Sequence, residues 1–217
     1  MIEEDIKAIF PNELGWLEAK LKDEAIEYLW KTVDKYKQTT DFRKKLAGNL
    51  SNSWLMEDEN DWFWLNVLEP LCHQYAGTFQ NMGNEVPVNH RHPYKLNSFW
   101  VNYQREHEFN PYHIHNAAVY SFVVWMKIPT DWREQHKLEH SAYTNDQASS
   151  NFVFYPQDIL GRVNPKSYYL DKNSEGTILF FPAQLPHAVH PFFNCKEDRI
   201  TISEWMKCLW IVTGKQS

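Results

Sequence analysis

Apolar positions change their period once along the chain. In the first part Leu17, Leu21, Ala25, Leu29, Val33 and Tyr36 recur every three or four residues, the spacing of one face of an amphipathic helix. A second run through Trp62, Leu65, Leu68, Leu71, Tyr75 and Phe79 keeps that period, with Asp61 placed to cap its start. Pro70 falls inside it, which predicts a kink or a break there, because proline has no N–H to give the helix. Both aromatic stripes read as core packing against a sheet.

From about Leu96 the pattern shortens. Residues 98–104, 113–115, 119–128, 151–155, 167–170, 177–182, 188–193 and 199–206 are short runs rich in β-branched and aromatic residues, separated by Pro, Asn, Asp and Gly. Eight strands with no helical period between them predict an antiparallel sandwich or jelly roll. The expected organisation is one domain over 1–217, with a helical support region at 1–90 and a β core at 91–217. Residues 129–150 are polar with little apolar content. They read either as a cover for an active-site mouth or as a solvated excursion with some local helix.

Composition narrows the class. Aromatic residues make up 16% of the chain, ample bulk for a packed interior. The longest apolar runs are strand-length, so no membrane span is expected. Residues 1–9 are acidic and lack an apolar signal core, which predicts no export or transit signal. Cys72, Cys195 and Cys208 are odd in number and widely spaced, a pattern that points away from a disulfide framework and toward a cytoplasmic location. The net charge of −6 argues against nucleic acid as a partner, and Arg43-Lys44-Lys45 reads as a solvated turn. With only 7 glycines there is neither a P-loop nor a dinucleotide fingerprint.

The candidate chemistry lies in the histidines. His113 and His115 are one residue apart in a predicted strand, so both side chains point to one face and can bind one ion. His187 follows 72 residues after His115, and a jelly roll can bring two such strands together at its mouth. Three imidazoles with open positions suit iron, with His190 as the reserve ligand. Arg199 opens an alternating strand in which Arg199, Thr201 and Ser203 share one face. An inward guanidinium needs a partner, and a dicarboxylate fits its fork, with the Thr201 hydroxyl as a second donor. The alternative is a strand-end ion pair with Glu197 or Asp198.

Two stretches, WVNYQREHEFNPYHIHNAAVYSFVVWMKIP at 100–129 and GTILFFPAQLPHAVHPFFNCKEDRITIS at 176–203, together resemble the 2-oxoglutarate and Fe(II)-dependent oxygenase superfamily. The likeness is strongest to a branch common in phage and marine bacterial genomes. The resemblance implies a mainly β fold with N-terminal helices, built on a double-stranded β-helix (jelly roll). It implies Fe(II) held by His113, His115 and His187, and 2-oxoglutarate gripped by Arg199 and Thr201. Tyr103 falls where related hydroxylases place a tyrosine that donates to the co-substrate. Asn102 sits on the opposite strand face, so one of the two faces inward. The usual proximal motif has Asp or Glu where His115 stands, so the site is either three-histidine or two-histidine with an open position. Glu106-His107-Glu108 replaces the customary turn glycine.

The implied activity is hydroxylation of a small-molecule or peptide side-chain substrate, coupled to decarboxylation of 2-oxoglutarate, by a monomer or homodimer. Trp100, Phe122, Trp125 and Phe180 are candidate apolar walls. Two other readings remain: a cupin-like three-histidine enzyme without co-substrate, and a non-enzymatic jelly-roll binding domain. The first leaves Arg199 without a reason; the second makes the histidines incidental.

Overall fold

The computed structural model describes residues 1, 6–9, 15–79, 94–116, 118–158 and 160–208. Its centre is a pair of facing antiparallel sheets made from eight consecutive strands. These are β4 (Tyr94–Gln104), β5 (Asn110–His113), β6 (Tyr120–Lys127), β7 (Phe152–Phe154), β8 (Lys166–Tyr168), β9 (Thr177–Pro182), β10 (His187–Val189) and β11 (Arg199–Cys208). One sheet runs β9-β6-β11-β4 and the other β5-β10-β7-β8. Most successive strands change sheet, so the chain winds as a jelly roll, the double-stranded β-helix. Each of the eight expected strands is present, and Thr177–Pro182 has the bounds read from sequence.

The N-terminal region is less helical than expected. β1 (Lys7–Ile9) and β2 (Trp16–Lys20) extend the first sheet beyond β9, and β3 (Asn52–Met56) extends it beyond β4. The first helix, α1, spans only Asp23–Tyr36. Leu17 therefore belongs to a strand, and its spacing from Leu21 is a coincidence of period. Strand β2 sends Leu17 and Ala19 into the core beneath the helices, while Trp16 joins the cluster between the sheets. The indole N–H of Trp16 donates to Tyr168 Oη at 2.6 Å, and Tyr168 donates to Glu18 at 2.9 Å. The expected boundary near residue 90 lies outside the described residues.

The second helix also starts differently. Asp58, rather than Asp61, accepts the N–H groups of Phe63 and Trp64, each at 2.8 Å. A π-turn over Trp64–Leu68 leads into α2 (Glu69–Thr78), where Pro70 falls in the first turn. The widened turn takes up the missing N–H and the bulk of the ring, so the helix continues instead of breaking.

Two apolar layers result. Ala25, Leu29 and Val33 of α1 and Leu71 and Tyr75 of α2 pack on the outer face of the large sheet against Phe99, Phe122, Phe180 and Ile202. Between the sheets, Trp16, Trp125, Phe152, Phe154 and Phe181 fill one end. Truncating one of these rings to Ala would cost about 3–5 kcal/mol. The other end of the sandwich stays open as a cavity of about 300 Å³.

Candidate metal centre

Strands β5 and β10 pair antiparallel with His113 opposite His187, which brings their ring centroids within 4.3 Å. His115 lies just past the end of β5, and its N–H is fixed to the carbonyl of Ala183 at 2.9 Å. The expected strand 113–115 thus ends at His113, yet the His115 ring still arrives 5.1 Å from His113 and 5.0 Å from His187. One ligand atom from each histidine falls within 4.8 Å of the others. His190 stays apart: its Nε2 faces the Tyr155 hydroxyl at 3.3 Å.

Hydrogen bonds settle which nitrogens are free. His113 Nδ1 lies 2.7 Å from the Pro111 carbonyl and His187 Nδ1 lies 2.9 Å from that of Leu185. A carbonyl only accepts, so both Nδ1 atoms carry the proton and both Nε2 atoms keep their lone pairs. His115 Nδ1 lies 3.0 Å from Ser121 Oγ, whose own proton goes to the Glu204 carbonyl at 2.8 Å. That hydroxyl must therefore accept from His115, which leaves the third Nε2 free as well. Burial pushes the pKa of all three histidines down, His115 to about 3. The neutral form, the one that binds a metal, is the stable one.

Arg199 lies at the floor of the same cavity, fully buried. Its Nη2 donates to the backbone carbonyl and hydroxyl of Ser150, at 2.9 and 2.5 Å, and the guanidinium lies 5.0 Å from the Phe192 ring centroid. Its Nε and Nη1 are buried and have no hydrogen-bond partner among the described residues. Burial lowers its pKa to about 9, so the charge remains at neutral pH. The alternative ion pairs are taken: Glu197 binds Lys127 at 2.7 Å, and Asp198 lies 3.7 Å from Arg105. Thr201 and Ser203 line the cavity beside Arg199, as the alternation predicts.

Asn102 faces the cavity and Tyr103 does not. Asn102 accepts from the Ser53 hydroxyl at 2.9 Å, whereas Tyr103 packs in the helical-side core, its ring centroid 5.4 Å from the Lys37 ammonium. Adjacent strand residues point to opposite faces, so Tyr103 does not line this cavity. Trp100 and Trp125 reach the lining, while Phe180 and Phe122 pack in the outer core, although Phe122 also borders the cavity. His107, at the customary glycine position, takes a φ of 70°, the left-handed turn conformation that glycine usually supplies.

Two functional side chains had little warning in the sequence. Ser121 is a fully buried serine within the apolar strand β6, and that isolation was its only signal. Ser150 ends the polar stretch 129–150 and hydrogen-bonds the Arg199 fork, and none of the described residues 129–150 lines the cavity. The stretch forms short helical turns at Trp132–Gln135 and Glu139–Ala142 and buttresses Arg199 through Ser150 rather than covering the mouth.

The fold is a jelly roll in which three imidazoles that could hold a metal ion share one cavity with a buried arginine. Residues 98–204, which include all three histidines and Arg199, match a family described as "Putative 2OG-Fe(II) oxygenase". No curated protein matches the chain. Among solved structures it is similar to a prolyl-4-hydroxylase from Pseudomonas putida, at 12% identity and a TM-score of 0.49, covering 90% of this chain and 93% of that one. It is also similar to a prolyl hydroxylase from Trichoplax adhaerens in complex with a hypoxia inducible factor peptide fragment, at 11% identity and a TM-score of 0.47, covering 94% and 84%. A 2OG-Fe(II) oxygenase family protein from Burkholderia pseudomallei matches at 14% identity and a TM-score of 0.40, covering 76% and 73%.

Proposed function

We propose that the protein is an Fe(II)- and 2-oxoglutarate-dependent oxygenase that hydroxylates a small-molecule or peptide side-chain substrate. The observation that carries this reading is the sharing of one cavity by two unsatisfied sets: three free imidazole Nε2 atoms, and the Nε and Nη1 of buried Arg199. The donor chemistry fits both groups. Imidazole suits iron, and a desolvated guanidinium fork with open donors suits a carboxylate. Iron and 2-oxoglutarate together supply oxygen activation coupled to decarboxylation of the co-substrate.

The chain's own part is orientation and exclusion of water. His113, His115 and His187 hold the metal through Nε2, each fixed at Nδ1 by a carbonyl or by Ser121. Arg199 holds the distal carboxylate of 2-oxoglutarate, kept in place by Ser150, with Thr201 as second donor. Trp125, Phe152 and Phe181 seal the inner end. As a cytoplasmic monomer or homodimer, the enzyme would need neither nucleic acid nor a membrane for this chemistry.

The test is anaerobic titration of metal-free protein with Fe(II) and then 2-oxoglutarate, followed by the visible charge-transfer band of the chelate. A band that disappears in His187→Ala and weakens in Arg199→Ala supports the reading. Iron binding without any band would favour three-histidine chemistry without co-substrate, and no iron binding would leave a binding module.

A further inference from the structure

We infer that the primary substrate is a small carboxylate-bearing molecule with an apolar body, whose charge is met by Lys45 at the cavity rim. This rests on the oxygenase reading and deepens it. The first support is the charge of the walls. Among the described residues, the charged side chains of the cavity lining are Lys45 and Arg199, beside three neutral histidines, with no Asp or Glu. That is unexpected for a chain with 28 acidic and 22 basic residues. A cavity of one sign with low-dielectric walls concentrates its field and selects its ligand.

The second support is the ligand set itself. A histidine at position 115 brings no negative charge, where the usual acidic ligand would bring one. Two-oxoglutarate carries two negative charges, set against a divalent metal and Arg199. The assembled site thus keeps one net positive charge that a carboxylate ligand would have cancelled. Lys45 adds another at the rim. It is exposed and, among the described residues, makes no ion pair, whereas its neighbour Arg43 is closed off by Asp41 at 2.7 Å. A neutral or cationic substrate would leave both charges unanswered.

The third support is shape. The turn Arg43–Lys45 leads into a strap whose Leu46, Ala47 and Leu50 form one wall of the outer cavity, facing Trp100 and Trp205. The strap is pinned to the start of β5 by paired backbone bonds between Asn49 and Phe109, at 2.8 and 3.4 Å. The Trp100 and Trp205 rings lie 4.9 Å apart at centroids, and Phe42 stacks on Trp100 at 5.0 Å. Between these walls an aliphatic or aromatic body fits, with its carboxylate at the rim. The basic triplet at 43–45 then has a use that a solvated turn does not require.

The experiment uses protein loaded with Co(II) and saturated with 2-oxoglutarate. Binding of two acid–amide pairs, 4-phenylbutyrate with 4-phenylbutyramide and hexanoate with hexanamide, is measured by calorimetry and ligand-observed NMR. The expected result is acids binding at least roughly ten-fold more tightly than amides, an advantage that shrinks as salt rises. Lys45→Glu should abolish that advantage without changing 2-oxoglutarate affinity, whereas Lys44→Glu, at an exposed position outside the lining, should keep it. Amides binding as well as acids, no acid binding, acids competing with 2-oxoglutarate, or Lys44→Glu acting like Lys45→Glu would each overturn the inference. Failure of 2-oxoglutarate to bind the Co(II) protein would instead remove the oxygenase reading beneath it.

Discussion

Ser121 Oγ sits 3.0 Å from His115 Nδ1 and passes its own proton to the Glu204 carbonyl 2.8 Å away. The hydroxyl joins β6 and β11 to the loop after β5, and it fixes the tautomer of the one ligand that replaces an acid. A carboxylate can bind a metal through either oxygen, so it depends less on one hydroxyl. An imidazole needs its distal N–H satisfied and its ring aimed. Ser121→Ala should therefore weaken Fe(II) or Co(II) affinity by about 10- to 100-fold, while Ser121→Thr, which keeps the hydroxyl, should recover most of it. In a His115→Asp background the serine should matter little, and an undiminished Ser121→Ala effect there would sink this account. Metal titration followed by Co(II) absorption compares all four variants with the wild type.

Arg199 is a buried charge with two of its donors unanswered. Such a group destabilises the empty protein and is stabilised by its ligand. Arg199→Met should keep or raise the thermal midpoint of the ligand-free protein and abolish the midpoint rise on adding 2-oxoglutarate. In the wild type that rise should correspond to about 2.7 kcal/mol when ligand is at a hundred times its dissociation constant. Scanning calorimetry with and without metal and co-substrate is the measurement. A ligand-free variant that unfolds well below wild type would mean that the Ser150 contacts outweigh the buried charge.

Much of this site was legible because its elements obey short-range rules. Strand periodicity placed Arg199, Thr201 and Ser203 on one face of β11 and Ile200 and Ile202 on the other, and the structure keeps that division. His113, His115 and His187 could be grouped because a jelly roll brings β5 and β10 together. The choice between Asn102 and Tyr103 was not legible, since alternation fixes that they diverge but not which way. Ser150 was hidden for another reason: it reaches Arg199 across 49 positions of chain, and nothing local in a polar loop marks such a partner. Leu17 misled because a strand residue, the residue just past that strand and a following helix happened to share a four-residue step.

Glu204 is fully buried in β11, and among the described residues neither carboxylate oxygen has a hydrogen-bond partner. Burial raises its pKa well above the usual value, and Asp58 adds to the shift; the nearby Cys72 thiol is raised too. The native state keeps this proton as pH rises, whereas the unfolded chain loses it near pH 4.3. Stability is thus greatest below that value and falls through the window up to the native pKa, by about 1.4 kcal/mol per pH unit. Glu204→Met removes both the proton linkage and the two orphaned oxygens. It should raise stability at neutral and mildly alkaline pH and flatten the decline as pH rises through that window. Denaturant midpoints across that range decide the matter, and parallel slopes for the two proteins would refute the prediction.

Gly48 is needed for space rather than for backbone freedom. A Cβ there would lie 1.8 Å from Asn110 Oδ1 and 2.9 Å from its Cγ, and 3.2 Å from Leu50 Cγ. The strap Lys45–Leu50 can lie against the start of β5 only because this position has no side chain. Gly48→Ala must move the Asn110 amide or lift the strap, at a cost of about 1–3 kcal/mol. If Asn110 is the obstacle, pairing the change with Asn110→Ala should recover most of the loss, giving a coupling energy well above the roughly 0.5 kcal/mol limit of additivity. Strap lifting should also expose the Asn49–Phe109 backbone bonds, so hydrogen exchange at those amides should speed up in the single variant and return in the double. Additive losses with unchanged exchange would place the strain elsewhere.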